Sequence, residues 1–430
     1  MLSSVAMGAT QTQRSIDALW RIESPRIIAG LARLVRDVGT AEELAQDALV
    51  TALEQWPRTG LPDNPGAWLM TTAKNRALDW LRRQRMLARH HATLGHELEM
   101  DQLSSSGGPE AGADDEIGDD LLRLMFVACH PLLATEARTA LTLRLLGGLT
   151  TTEIARAFLV PEATIAQRIV RAKRALSDAR VPFEVPVGGA LAERLSSVLE
   201  VIYLVFNEGY SATAGADWMR PALCEDALRI GRVLAGLMPG ASEVHGLVAL
   251  MEIQASRTRA RQGADGEPVL LMDQNRTLWD RLSISRGLAS LARAEVLTDR
   301  PGTYLLQAAI AACHARAVTA ADTDWARIVT LYDDLIALAP SPVIELNRAV
   351  AIAMARGPAA ALELVDKLVV DGRLAHYHLL PSVRGDLLAR LGRRDEARRE
   401  FERAASLTQN ERERRLLLDR SEHVVHAVDR

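Results

Sequence analysis

The chain has 430 residues, too many for one ordinary core, and its residues are 48% hydrophobic but only 4% aromatic. This composition, rich in Ala, Leu and Arg, favours packed helices and argues against a β-sandwich. A formal net charge of -4 excludes a chain that binds nucleic acid along its whole length. We therefore expect two to four domains with an all-α fold.

The N-terminal part, residues 1–92, has the pattern of amphipathic helices with short breaks. At the clearest break, "WPRTGLPDNPGAW", Asn64 is placed to cap a helix that begins at Pro65 and continues into "RRQR". Between residues 68 and 90 there are six Lys or Arg residues and one acid. A solvated charged face and a nucleic-acid interface explain this pattern about equally well. The polar residues off the apolar stripe include Lys74, Asn75, Asp79, Arg82 and Arg83.

Residues 93–119 have no hydrophobic periodicity, are acidic and contain a Ser/Gly run, "SSSGG". This composition predicts a flexible linker between two helical parts. A calcium site is not expected, because the acidic run "ADDEIGDD" lacks the spacing of a calcium loop.

Residues 120–180 form a second helical block, which contains "LTTTEIARAFLVPEATIAQRIVRAKRALSDAR". Two short apolar stripes in this segment face each other across a turn at Val160 and Pro161. Residues 161–180 include five basic and two acidic residues, an excess that the net charge of the chain conceals. The second helix leaves these residues outward: Thr164, Gln167, Arg168, Arg171 and Arg174, with Lys173 on the flank.

That arrangement fits a helix-turn-helix whose second helix enters the DNA major groove, where Gln and Arg bond base edges. An ordinary αα-hairpin with a solvated basic face is the alternative. The second basic helix, after Pro65, makes nucleic-acid binding the better interpretation.

The connector "VPFEVPVGG", residues 181–189, separates this block from a long succession of helical patterns over residues 190–430. Two segments there repeat the order helix, Gly, Ala-rich helix, with Gly357 and Gly392 in register. Their separation of about 35 residues is close to the tetratricopeptide period. We predict two or three such repeats.

A group of polar residues interrupts otherwise apolar helices in the C-terminal part, which indicates either an internal polar joint or a ligand pocket. A joint is the favoured interpretation. No nucleophile and base stand at a recognisable spacing, and the histidines lack metal-ligand spacing, so we expect no enzyme, metal or cofactor. The candidate pocket residues are Asn207, Glu208, Tyr210, Arg257, Asp273, Arg276 and Trp279, with Arg259 and Gln274 nearby.

The motifs "DVGTAEELAQDALVTALEQW", "NPGAWLMTTAKNRALDWLRR" and "LTTTEIARAFLVPEATIAQRIVRAKRAL", in this order, resemble bacterial RNA polymerase sigma factors of the extracytoplasmic-function (ECF) type. More narrowly, the chain is similar to the group with a C-terminal tetratricopeptide-like extension. The resemblance implies sigma region 2 at 1–92, sigma region 4 at 120–180 and a regulatory domain at 190–430. Leu159 departs from the motif, since Gly is common there, so the turn either avoids positive φ or strains the Leu backbone.

The resemblance also assigns roles to single residues. It places Glu43, Gln46 and Asp47 on the helix that docks the β′ clamp of core RNA polymerase. The residues that it places near the promoter −10 element are Lys74, Asn75, Arg76, Asp79, Arg82 and Arg83. Those that it places near the −35 element are Thr164, Gln167, Arg168, Arg171, Lys173 and Arg174.

The expected partners are core RNA polymerase, promoter DNA and, within the chain, contacts between the C-terminal domain and the sigma modules. Three cysteines far apart and the lack of a membrane-span or signal-peptide pattern indicate a cytoplasmic protein. Two other functions remain open. One is a one-component helix-turn-helix regulator that senses a ligand through its C-terminal helices, and the other is a repeat scaffold with a vestigial DNA-binding segment.

Overall fold

The computed structural model describes residues 2–92, 113–263 and 266–426. Eighteen α-helices, two short 3₁₀ segments and one pair of two-residue strands form the regular structure of these residues, which confirms the predicted all-α class. The chain divides into two compact units, Met1–Val201 and Ile202–Arg430. Among the described residues, no helix combines the length and the apolar character that crossing a membrane requires.

The first unit contains two helical bundles. The first bundle consists of α1 (Leu2–Val35), α2 (Val38–Thr59) and α3 (Pro65–Ala92), and the second bundle of α4 (Ala113–Ala128), α5 (Thr135–Leu145), α6 (Thr151–Phe158) and α7 (Glu162–Asp178). In the first bundle α1, α2 and α3 pack against one another, and in the second α7 packs against α5 and α6. Helix α8 (Gly189–Tyr210) follows and crosses into the second unit.

The start of α3 agrees with its prediction, because the Asn64 side chain accepts a hydrogen bond from the Ala67 amide at 3.0 Å and Pro65 opens the helix. The end of the predicted linker was wrong. Residues 93–112 lie outside the described residues, but 113–119 form the first turns of α4. Acidic side chains favour the N-terminal turns of a helix, where the helix dipole is positive, so the run "ADDEIGDD" suits a helix start.

The first turns of α8 pack on the second bundle, so the first unit extends beyond the predicted connector at 181–189. Arg194 donates to the Phe126 carbonyl at 2.7 Å, and the Ser197 hydroxyl donates to the Cys129 carbonyl at 2.6 Å. These bonds satisfy carbonyls at the end of α4, so the first turns of α8 help to stabilise the first unit.

The second unit is a succession of helices in which sequence neighbours pack together. Its helices are α9 (Pro221–Leu237), α10 (Ser242–Ala255), α11 (Arg281–Val296), α12 (Thr303–Arg316), α13 (Trp325–Leu338), α14 (Pro342–Arg356), α15 (Pro358–Asp371), α16 (Leu379–Arg390), α17 (Arg394–Leu407) and α18 (Glu411–His426). Gly357 and Gly392 separate α14 from α15 and α16 from α17, at φ 95° and 75°. Ala361 and Ala397 are fully buried, as close helix pairing requires. The helix–Gly–helix repeat is confirmed, whereas its tetratricopeptide assignment stays a prediction.

The two ends of the second unit are joined by a small parallel sheet. Strand β1 (Ala214–Gly215) pairs with β2 (Gln409–Asn410). The Asn410 side chain, 1% exposed, donates to the Ala212 carbonyl at 3.1 Å and to the Asp217 carbonyl at 2.9 Å. In a solenoid each repeat contacts only its neighbours. The second unit therefore differs from a solenoid, because a segment near its C-terminal end bonds directly to a segment near its N-terminal end.

Candidate nucleic-acid interface

Helices α6 and α7 form the predicted helix-turn-helix, and its first helix has a complete capping box. The Thr150 hydroxyl accepts from the Glu153 amide at 3.1 Å, and the Glu153 carboxylate accepts from the Thr150 amide at 2.8 Å. Burial alone would raise the pKa of Glu153, but the hydrogen bonds from Thr150 and the charge of Arg21 outweigh it and lower this pKa. The start of α6 is thus fixed by local bonds.

The turn between the two helices shows which of the two expectations for Leu159, a negative φ or a strained positive φ, is correct. Its φ of 51° and ψ of 39° place it in the left-handed region, so the backbone there does carry strain. Its amide still bonds back to the last turn of α6. The predicted inner faces are confirmed by the burial of Ile154, Ala155, Ile165, Ile169, Ala172 and Leu176.

The outward face of α7 carries most of the predicted base-reading residues. Gln167, Arg171 and Arg174 are exposed, while Thr164 and Arg168 are half-buried. Arg174 forms an ion pair with Asp178 at 3.5 Å between two highly exposed side chains, which contributes little stability. No side-chain partner of Arg168 or Arg171 occurs among the described residues, so both guanidinium groups are available to a ligand.

Lys173 is placed differently from these residues. Its ammonium group forms an ion pair with Glu42 of α2, and its side chain is only 19% exposed. In this arrangement it is not part of the basic face that the sequence predicted. The reason is its position one residue after the buried Ala172, on the side of α7 that faces the first bundle.

The basic face of α3 is also largely exposed. Lys74, Asn75, Asp79, Arg82 and Arg83 all reach solvent, and Arg82 pairs with Asp79 at 3.0 Å. Arg76 differs, because it lies against α2. It donates to the Thr51 hydroxyl at 2.7 Å and approaches the Asp47 carboxylate at 3.5 Å.

The residues expected to dock polymerase share helix α2 but not one environment. Glu43 and Asp47 are exposed one turn apart. Gln46 is half-buried and donates to Glu42 at 2.5 Å. The structure therefore presents an acidic pair outward, while the third predicted residue, Gln46, bonds to the buried Glu42 on the same helix.

A buried ion cluster joins the two bundles, and the sequence interpretation did not identify it. The carboxylate of Glu42 is 3% exposed and accepts from Arg144 of α5 at 2.5 Å, in addition to Lys173 and Gln46. We call Glu42, Arg144 and Lys173 the latch, and this packing of the bundles the closed arrangement. Further ion pairs between the bundles are Arg21–Glu153 and Arg33–Asp120. A signal existed, since Glu42 shares the apolar face of α2 with Val38 and Ala45.

Four of the seven candidate pocket residues of the second unit lie together in a packed polar cluster: Tyr210, Arg257, Arg276 and Trp279. The Arg257 guanidinium donates to the Tyr210 hydroxyl at 2.6 Å and lies 5.8 Å from the centre of the Trp279 ring. Arg276 lies 4.8 Å from the same ring and donates to the carbonyls of His314 and Ala317, each at 2.7 Å. These stacked arginines connect α8, the 3₁₀ segments and the end of α12.

The other members of the predicted pocket do not join this cluster. Asp273 is exposed, and Glu208 pairs with Arg220 and accepts from the Thr213 hydroxyl at 2.9 Å. Asn207 lies next to Tyr203, the pKa of which burial raises. The structure thus distributes the predicted pocket residues over separate contacts.

The polar joint gives the second unit an acid-sensitive group. Burial first, and then the charges of Arg257 and Arg276, lower the pKa of His314 from 6.5 to about 4. A depressed histidine pKa means that the neutral ring stabilises the fold above the unfolded value. This contribution is lost as the pH falls from about 6.5 to about 4, and it corresponds to about 3 kcal/mol.

We expect His314→Phe to remove this acid-sensitive step while keeping the edge-to-face contact with Trp325, whose ring centre is 5.1 Å away. Urea denaturation of the full chain at about pH 7 and about pH 4.5 measures the effect. The wild type should lose more stability on acidification than the variant. Equal losses would contradict the role of His314.

Comparison with known proteins agrees with this architecture. The sigma-70 region 2 family matches residues 19–86, and the sigma-70 region 4 family matches residues 123–176. A family of unknown function, DUF6596, matches residues 194–295. The first two matches correspond to the two bundles of the first unit.

Individual relatives agree with the family matches. An uncharacterized protein of Rhizobium meliloti (strain 1021) is 45% identical over 391 residues, which cover 90% of each chain. The ECF RNA polymerase sigma factor SigK of Mycobacterium ulcerans (strain Agy99) is 30% identical over 155 residues, 35% of this chain and 78% of that protein. SigK of Mycobacterium sp. (strain KMS) is 27% identical over 168 residues, 36% of this chain and 80% of that protein. With both sigma-70 regions on adjoining helical bundles, the chain belongs to the ECF family of RNA polymerase sigma factors.

Proposed function

We propose that the chain delivers core RNA polymerase to a specific set of promoters, and that the second unit is an integral regulatory domain of this sigma factor. Helix α2 would dock the β′ clamp, α3 would contact the −10 element and α7 would read the −35 element. The observation that carries the proposal is the presence of two exposed basic helix faces on separate bundles, beside an exposed acidic pair on α2. No reaction is assigned to the chain, and its place of action would be the cytoplasm.

The closed arrangement must open for this function. The two promoter elements are about 25 base pairs apart, which is roughly 80 Å along B-DNA. A compact unit of about 200 residues spans only roughly 45 Å. Helices α3 and α7 therefore cannot reach both elements while the latch is closed, and we infer that polymerase binding accompanies separation of the bundles.

Arg168 provides a test of the −35 contact, since it lies on the outward face of α7 without a partner among the described residues. We expect Arg168→Ala to weaken promoter binding by about 1–3 kcal/mol and to relax sequence preference at the −35 element. Binding would be measured with polymerase holoenzyme on a promoter selected from random DNA. Arg58→Ala, which removes an exposed positive charge at the end of α2, is the matched control. Unchanged promoter preference in Arg168→Ala would mean that this face of α7 does not read DNA.

Glu43 tests the polymerase contact more cleanly than Asp47, because Asp47 approaches Arg76 whereas Glu43 has no ion-pair partner among the described residues. Reversal of the exposed charge in Glu43→Arg is expected to weaken association with core polymerase about tenfold or more. Co-purification of the variant with core polymerase at several salt concentrations measures this loss of affinity. Asp63→Arg, in the exposed loop after α2, is the control. If Glu43→Arg and Asp63→Arg bind polymerase equally well, the docking face lies elsewhere.

A further inference from the structure

A cleft of about 770 Å³ lies inside the first unit, where both bundles and the segment after α7 meet. This volume is within the usual range for small-molecule sites. The lining comes from the end of α1, the start of α2, the ends of α4 and α7 and residues 181–184. A ligand that fills the cleft would therefore touch both bundles in the closed arrangement.

Two arginines in the lining have no side-chain partner among the described residues. Arg36 directly follows α1, Arg180 lies just beyond the end of α7, and both are exposed. Their φ angles of 55° and 49° lie in the left-handed region, where glycine is the usual residue at a helix end. An arginine at each of these positions strains the backbone, and both arginines line the same cleft.

The remaining charges of the lining are balanced by neighbours. Lys173 and Arg144 both pair with Glu42, so these two cations together balance the two carboxylates Glu42 and Asp37. Arg33 pairs with Asp120.

The acidic residues are balanced as well. The Asp37 carboxylate accepts from the Thr40 amide at 2.7 Å and interacts with the charge of Lys173. Glu184 interacts with the charge of Arg194. Arg36 and Arg180 therefore leave two positive charges without compensation in the cleft.

Apart from Ser177, the rest of the lining is apolar. Val38, Val127 and Leu176 are buried, and Val181 and Phe183 are half-buried. A ligand that satisfies both parts of the cleft needs two negative charges beside an apolar body. A phosphate monoester carries close to two negative charges at neutral pH and accepts several hydrogen bonds from guanidinium groups.

We propose that this cleft binds an organic phosphate monoester with an apolar body, held by Arg36 and Arg180, and that the bound ligand keeps the two bundles closed. The binding part stands on the cleft alone. The claim that the ligand keeps the bundles closed rests on the proposed function, because closure has a consequence for transcription only if the chain acts as a sigma factor whose bundles must separate.

The positive φ angles supply unusually clean variants. Replacement by glycine removes the side chain and relieves backbone strain at the same time, so Arg36→Gly and Arg180→Gly should be at least as stable to heat as the wild type. Loss of binding in these variants would thus not come from misfolding. Arg58→Ala is again the control, because it removes one exposed positive charge outside the cleft.

The test is calorimetric titration of the full chain with phenyl phosphate, with inorganic phosphate and benzyl alcohol as probes for the charge and the apolar body alone. We expect phenyl phosphate to bind at least about tenfold more tightly than either probe. Arg36→Gly and Arg180→Gly should each weaken it at least about tenfold, and Arg58→Ala should not change it. No binding of phenyl phosphate at millimolar concentration, or equal binding by all variants, would overturn the site.

Transcription with core polymerase then separates the two parts of the proposal. Phenyl phosphate should inhibit the wild type and not Arg180→Gly. Binding without inhibition would overturn the closing role. Absence of transcription without any ligand would instead contradict the proposed function and would leave the calorimetric result standing as evidence for the site.

Discussion

Glu42→Ala is expected to release the second bundle from the first. The substitution leaves Arg144 and Lys173, which are only 22% and 19% exposed, as partly buried cations without their shared carboxylate. Removing one partner of a buried ion pair costs about 3–5 kcal/mol. Such a change shifts the equilibrium between closed and open bundles by roughly two to four orders of magnitude. Distance measurements between spin labels on α3 and α7 should change from a short, narrow distribution to a long, broad one.

Two further variants distinguish the latch from general damage. Glu43→Ala removes the neighbouring exposed carboxylate and should leave the distance distribution unchanged. Apolar replacement of the whole latch, as Glu42→Met with Arg144→Met and Lys173→Met, should restore the closed distribution, because packed apolar residues often replace a buried ion cluster without loss. An unchanged distribution in Glu42→Ala would show that the latch does not hold the bundles.

Removal of the second unit is expected to have the other large effect. The position at which the chain is cut decides whether the experiment reports on the role of the second unit or on damage to the first. A chain that ends at Val201 keeps the bonds of Arg194 and Ser197 to the second bundle. A chain that ends at Arg180 also removes Ser197 and Glu200 as partners of the buried Arg138. We expect the shorter chain to be less stable by about 3 kcal/mol, as measured by urea denaturation.

The chain that ends at Val201 tests the role of the second unit. We propose that the second unit has a required, positive role, as the resemblance to sigma factors with such an extension favours, and we therefore expect the chain that ends at Val201 to fold yet to give little promoter-specific transcription. Constitutive activity would show an inhibitory lid instead. A second truncation, after Asp371, would remove only the last helices, but it also removes β2 and Asn410, which hold the chain around Ala212. Activity equal to that of the full chain after both cuts would contradict any regulatory role.

Local signals in the sequence predicted much of the fold. Asn64 before Pro65 gave the start of α3, and the spacing of Ile165, Ile169 and Leu176 gave the inner face of α7. These features depend on hydrogen bonds and periodicity within a few residues of sequence, so they can be read without the tertiary structure.

The contacts that join distant segments could not be predicted in this way. Glu42 and Arg144 are 102 residues apart in sequence, and Asn410 lies 198 residues from Ala212. Nothing within either local segment specifies its partner, because the pairing depends on how whole helices pack. The placement of Lys173 follows the same logic, since its local pattern alone did not reveal that Glu42 would bind it.

Transcription initiation in vitro tests the central claim most directly. Purified full chain and core RNA polymerase, with a library of promoter DNA, should yield transcripts from a defined set of promoters, and core polymerase alone should yield none of them. Arg168→Ala should reduce these transcripts, while Arg58→Ala should not. Binding of the chain to duplex DNA without polymerase, together with no promoter-specific transcript in its presence, would contradict the account and would instead indicate a one-component regulator.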